Sequence, residues 1–208
     1  MFDLSITILD WIGIIAFAAS GALVASRKEM DVVGFVLLGT VTGIGGGTLR
    51  DVILDSRPVV WLQEPAYLSV CVATSIFVFF FAPLVASRYR LLLWLDAVGL
   101  ATFATAGAAQ ALALGQSPLV SVTMGVITAC FGGIIRDMMG NIQPSILTHE
   151  IYVTAALLSA VTYVALINGS VVHEVAVPIA LASGFCLRAG GLKYGWSLPR
   201  YRSRPARR

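Results

Sequence analysis

Of 208 residues, 58% are hydrophobic and 12% charged, and the mean hydropathy is +0.87, far from the balance of a soluble globular domain. At about 20 apolar residues per spanning helix, this length holds seven spans joined by short loops and leaves no room for a soluble domain. The net charge of +3 is unevenly placed: no acid follows Glu174, whereas Arg188, Lys193, Arg200, Arg202, Arg204, Arg207 and Arg208 do. On a membrane protein a basic tail over 191–208 reads as a cytoplasmic signal that touches anionic lipid headgroups rather than as a nucleic-acid element.

The start, Met1-Phe2-Asp3-Leu4, has no basic leader, so the apolar run after it is expected to stay as a first span. Apolar runs predict spans near 5–25, 32–54, 66–86, 91–113, 118–140, 151–168 and 171–190, separated by turn-forming stretches such as Arg57-Pro58, Gly115-Gln116-Ser117-Pro118 and Asn168-Gly169-Ser170. Basic residues outside the spans collect at Arg27 and Lys28, at Arg88 and Arg90, and in the tail. Arg57 is offset by Asp55 and Glu64, and the loops after the fourth and sixth spans carry none. The positive-inside rule then puts the N-terminus outside and the C-terminus in the cytoplasm, in a multi-pass protein of the plasma (inner) membrane.

The first span carries Asp10-x2-Gly13-x3-Phe17-x3-Gly21, one helical face by its spacing. Its glycines suit packing; its aspartate, buried in an apolar run, does not. The second span contains Gly43-Ile44-Gly45-Gly46-Gly47-Thr48-Leu49-Arg50-Asp51, and the fifth repeats the theme as Phe131-Gly132-Gly133-Ile134-Ile135-Arg136-Asp137. A constant shift of 86 residues, the separation of Arg50 from Arg136, also carries Asp10 onto Asp96, Gly13 onto Gly99, Phe17 onto Phe103, Thr42 onto Thr128, Pro58 onto Pro144 and Glu64 onto Glu150 without a gap. Coincident Asp, Arg and Pro residues mark internal duplication rather than shared greasiness. Each copy holds three spans, so the expected architecture is all-α: repeat one over 5–86, an inverted repeat two over 91–168, and a seventh helix over 171–190, together forming a single membrane domain over 1–190.

Charge at membrane depth is costly and marks function. By depth, Arg50 lies about a turn from the outer end of its span, level with Asp10, and Arg136 with Asp96 mirrors this on the cytoplasmic side. Asp51 and Asp137, next in sequence to the arginines, are equally available as partners. Glycines ahead of each pair suggest a break at Gly43–Gly47 and at Gly132–Gly133. Such a break would free carbonyls toward a water-filled cavity, with the hydroxyls of Thr42, Thr48 and Thr128 beside them. Oxygen ligands of this kind suit a weakly held monovalent cation, potassium or sodium. The competing reading is close packing, which Gly39-xxx-Gly43-xxx-Gly47 also satisfies.

Other chemistry fails on pattern. Gly43-x-Gly45 has no strand before it, so a nucleotide loop is excluded. Cys71, Cys130 and Cys186 are scattered singly and imply neither metal nor disulfide. His149 and His173 sit at loop ends with no nucleophile or metal motif, so neither enzyme nor cofactor is expected. Trp11, Trp61, Tyr67, Tyr89, Trp94, Tyr152, Tyr194 and Trp196 fall near span ends and read as interface anchors.

With a doubled Gly-Gly-x-x-Arg-Asp on the second helix of each three-helix unit, a paired Asp on the first and a seventh helix at the end, the chain resembles the prokaryotic branch of the trimeric intracellular cation channels. The resemblance implies a homotrimer in which each subunit conducts monovalent cations, chiefly potassium, through its own six-helix bundle. It assigns kinks to Gly45, Gly46 and Gly47 and to Gly132 and Gly133, and pathway roles to Arg50, Asp51, Arg136 and Asp137. Phe131 stands where the first copy has Gly45, which makes it the candidate gate, and the Lys-Glu-Val triplet of the animal members is not visible in the spans. Relatives of this type have also been classed as glycine transporters, so an alternating-access carrier for a small zwitterion is the second reading, and a scaffold whose ion pairs only fix helix register is the third.

Overall fold

The computed structural model describes residues 2–85, 87–147 and 151–199, with residues 2–5 described as backbone alone. His149, Glu150 and the tail arginines from Arg200 onward lie outside the described residues. Eight α-helices are found among them: α1 (Phe2–Arg27), α2 (Val32–Ile53), α3 (Val60–Gln63), α4 (Ala66–Phe81), α5 (Arg88–Ala113), α6 (Pro118–Met139), α7 (Val153–Asn168) and α8 (His173–Tyr194). Six helical segments are long and apolar enough to cross a membrane, α4 by continuing through a 3-10 turn to Leu84; α7, at 16 residues, is shorter. The chain is therefore an all-helical, multi-pass membrane protein. The expected spans match these helices to within a few residues, with α8 running on to Tyr194. The short α3 was not expected, since its four residues fall in a loop carrying Pro58 and Pro65.

Local chemistry sets the helix starts at corresponding places. Asp31 accepts a hydrogen bond from Gly34 N at 2.8 Å to begin α2, and Ser117 caps α6 ahead of Pro118 at the first helical position. α1 and α5, each 26 residues, are the most buried of the spanning helices. They carry alanine-rich faces that let neighbours approach closely, including Ala18, Ala22, Ala104 and Ala108, all fully buried.

Contacts between the two halves are reciprocal. A β-carbon on Gly13 would meet the Phe103 ring at 2.9 Å, and one on Gly99 would overlap the Phe17 ring. Gly46 lies against the carbonyl of Thr128, and a β-carbon on Gly132 would sit 2.5 Å from that of Thr42. Position 42 opposite 132 and 46 opposite 128 means that α2 and α6 cross antiparallel, backbone against backbone. Their C-terminal turns, which hold Arg50 and Arg136, therefore point to opposite ends of the bundle, roughly 18 Å apart along the axis at 1.5 Å per residue.

Candidate functional site

Each end of the bundle holds one buried arginine between two carboxylates. At the first end, Arg50 Nη1 donates to Asp10 Oδ1 at 3.3 Å and Nε donates to Asp51 Oδ1 at 2.9 Å. The two partners that the sequence left as alternatives are both used. At the other end, Arg136 Nη1 donates to Asp96 Oδ1 at 2.6 Å and Nε to Asp137 Oδ1 at 2.9 Å. Arg50 and Arg136 are 1% exposed, and the four carboxylate residues are 5% exposed or less. A charge so buried persists only when paired and hydrogen-bonded, and here each guanidinium is held by a neighbour in sequence and by a carboxylate from the helix beside it.

Loops complete both clusters. Val60 N, at the start of α3, donates to Asp51 Oδ2 at 2.9 Å, and Ser145 N, at the start of a short 3-10 turn, donates to Asp137 Oδ2 at 3.1 Å. Trp61 Nε1 donates to Thr48 Oγ1 at 3.0 Å, tying α3 down onto α2. Trp61 is thus a latch at the first cluster as well as an aromatic near a span end. Tyr67 and Tyr152, expected as interface anchors, are instead 4% and 2% exposed; Tyr67 stacks on Trp11 with ring centroids 4.2 Å apart. The reason is tertiary: the helices bearing these tyrosines lean their starts onto α1 and α6, a placement that distance from a span end cannot reveal.

The expected helix break does not occur. α2 is continuous through Gly43–Gly47 and α6 through Gly132–Gly133. Thr42, Thr48 and Thr128 donate to the carbonyls of Leu38, Ile44 and Met124 on their own helices. Thr42 and Thr128 are fully buried, packed where Gly21 and Gly107 leave room. Gly43 faces Cys71 and the carbonyl of Ile14, and a β-carbon on Gly45 would lie 3.4 Å from Ile135. β-Carbons on Gly47 and Gly133 would lie 3.7 and 3.5 Å from the guanidinium groups of Arg50 and Arg136. Close approach of backbone accounts for Gly46 and Gly132 at the α2–α6 crossing and the Tyr152 hydroxyl for Gly133, whereas Gly45 and Gly47 meet only ordinary contacts.

Between the clusters the bundle is filled. Phe17 and Phe103 meet edge to face with centroids 5.2 Å apart, 0% and 1% exposed, and Phe17 also lies 2.9 Å from the β-position of Gly132. Phe131 is half-buried and lies to one side, in a shallow apolar groove of about 340 Å³ with Val41, Ile44, Gly45 and Trp61. The Arg136 end opens into a small cavity of about 50 Å³ whose wall includes Arg136, Asp137, Gln143 and Ser145, beneath Arg27 stacked on Tyr89 at 4.7 Å. Sequence reasoning missed Ser20, whose Oγ accepts from Arg136 Nη1 at 3.0 Å, and Tyr152. Ser20 lies three residues beyond Phe17, on the face bearing Asp10, Gly13 and Phe17, and that register was the available signal. Among the described residues no group of three or more His, Cys, Asp or Glu side chains is placed to hold a metal ion.

Comparison with known proteins gives consistent results. The family described as Glycine transporter matches residues 7–83 and again 93–168, two segments that begin 86 residues apart. A UPF0126 inner membrane protein, YadS, of Escherichia coli is 39% identical over 198 residues, covering 93% of this chain and 94% of the relative. A UPF0126 membrane protein of Vibrio cholerae serotype O1 is 36% identical, with 93% and 82% covered. Among solved structures, a TRIC trimeric intracellular cation channel orthologue from Rhodobacter sphaeroides superposes with a TM-score of 0.90 at 53% identity, covering 92% of this chain and 98% of that one. A prokaryotic TRIC channel superposes at 0.88 with 38% identity, covering 95% and 100%.

Proposed function

We propose, from the premise that the chain belongs to the TRIC channel family and carries the twice-matched Glycine transporter domain, that it is a cation channel conducting monovalent ions, chiefly potassium, through each subunit. The observation that carries this reading is the pair of buried clusters at opposite ends of one bundle, Arg50 with Asp10 and Asp51, and Arg136 with Asp96 and Asp137. Each sums to a formal charge of −1, which favours a cation at both ends of a single path.

The path we infer runs along α1, α2, α5 and α6. Arg50, Asp51 and Asp10 form its outer constriction, and Arg136, Asp137 and Asp96 its inner one. Thr42, Thr48 and Thr128 lie along it, and bending at Gly43, Gly45, Gly46, Gly47, Gly132 and Gly133 opens it. Phe17 and Phe103 are the closed section of the present conformation. Phe131, facing Gly45 across a groove, stays the proposed gate on the α6 side, because a shift of α6 against α2 changes both.

Seven spans in two inverted three-helix repeats are supported by the antiparallel reciprocal contacts and by the equal lengths of α1 and α5, α2 and α6, and α4 and α7. A homotrimer is inferred from the trimeric relative. The N-out, C-in orientation rests on the basic loops, whose Arg27 and Tyr89 meet at one end of the bundle. At that end Ser87, Arg90, Trp94 and Lys193 line a cavity of about 550 Å³, a foothold for anionic headgroups alongside the basic tail. Planar-bilayer recording of the purified protein tests the reading: single-channel currents under a potassium gradient are expected, and their absence overturns it. The family description favours one alternative, a glycine carrier, which saturable counterflow of labelled glycine without ion current would establish in its place.

A further inference from the structure

We propose that the inner cluster holds one dehydrated monovalent cation between Asp96 and Tyr152 against the bare backbone of Gly133, and that the outer cluster has no such site; the proposal rests on the channel reading above. The two clusters share charge and arrangement but differ in what is left over. At the outer one, Asp10 keeps 8% of its side chain exposed, enough for water to serve its remaining lone pairs. At the inner one, Asp96 is 1% exposed and its Oδ2 has no hydrogen-bond partner, and the Tyr152 hydroxyl, on a residue 2% exposed, has none either. A buried carboxylate oxygen and a buried phenol oxygen without partners are each costly, and both residues border Gly133. A β-carbon on Gly133 would sit 2.5 Å from Tyr152 Oη and 3.6 Å from Asp96 Oδ1, so the missing side chain is what lets the hydroxyl reach α6 beside the carboxylate.

Charge selects the ligand. Arg136 contributes +1 and Asp96 and Asp137 contribute −1 each. Asp137 spends both oxygens on Arg136 Nε and Ser145 N, and Asp96 Oδ1 is spent on Arg136 Nη1. One added monovalent cation makes the cluster neutral, whereas a divalent ion would leave a buried positive charge beside a guanidinium. Carboxylate and phenol oxygens are hard ligands suited to an alkali ion. We infer access from the basic end, where Arg136 and Asp137 of the same cluster line a small cavity together with Arg27 and Tyr89.

The test is equilibrium binding of radiolabelled rubidium to the purified full-length protein, run beside bilayer recording. The wild type is expected to bind rubidium and Tyr152→Phe to bind it about tenfold more weakly, the scale of one lost charged-group interaction, with its melting temperature kept. Tyr67→Phe, which alters the buried tyrosine near the outer cluster, is expected to bind as the wild type does. Asp96→Asn should abolish binding; if that variant does not fold, Tyr152→Phe decides. Rubidium binding unchanged in Tyr152→Phe, or absent from the wild type because water or a proton fills the place, overturns the proposal. Current without tyrosine-dependent binding removes the site and leaves the channel; tyrosine-dependent binding without current removes the channel and leaves the site.

Discussion

Adjacent glycines on α2 make opposite demands, which gives a sharp test of how the two halves meet. A methyl group at Gly45 would reach nothing closer than Ile135 Cδ1 at 3.4 Å, an ordinary contact. One at Gly46 would overlap the carbonyl of Thr128, a backbone atom that cannot rotate away. Replacing glycine by alanine inside a helix gains roughly 0.5–1 kcal/mol from the backbone alone, so Gly45→Ala is expected to stabilise by about that amount. Gly46→Ala gains the same but must push α2 from α6. Overpacking costs about 1–3 kcal/mol, and the rigid obstacle places this case near the top of that range, for a net loss of about 2 kcal/mol. At roughly 2–4 °C per kcal/mol for a chain of this size, the melting temperature of the detergent-solubilised protein should rise by about 1–4 °C in Gly45→Ala and fall by about 4–8 °C in Gly46→Ala. Equal melting temperatures, or Gly46→Ala melting above Gly45→Ala, would refute the close crossing.

Arg136→Ala strands two buried carboxylates and should lose about 3–5 kcal/mol, read as a drop in melting temperature, while Arg136→Lys, which keeps the charge but not the fork, should lose less; equal melts for the two would contradict a pairing role. Trp61→Phe removes the bond to Thr48 and should cost about 1 kcal/mol by the same assay, and an unchanged melt would mean that α3 is not latched through that indole. Phe103→Leu shrinks the closed section between the clusters and should raise single-channel open probability in bilayers; unchanged or reduced opening would place the closure elsewhere.

The pairing of Asp10 with Arg50 and of Asp96 with Arg136 was legible because a carboxylate and a guanidinium at matching depth in an apolar run have few alternatives, and because the motif occurs twice at one offset. The choice between Asp10 and Asp51 was not legible: a guanidinium presents several donors, and only the position of α1 beside α2 shows that it serves both. The glycines were read as breaks because glycine weakens a helix in isolation. In the fold they lie in unbroken helix, and at Gly46 and Gly132 the neighbouring backbone occupies the space that a side chain would need. Tyr152 and Ser20 were missed because their roles are set by how the start of α7 and the middle of α1 pack against α6.

By itself the amino-acid order determined the membrane class, the positions of the long helices, the doubling at 86 residues and which charges lie in apolar runs, because hydropathy, length and the cost of burying charge act locally along the chain. Tertiary structure alone decided that α2 and α6 meet backbone to backbone, that each arginine holds two carboxylates, and that a phenylalanine pair fills the space between the clusters. Those outcomes depend on distances between helices, and the pattern along any one helix carries no information about them.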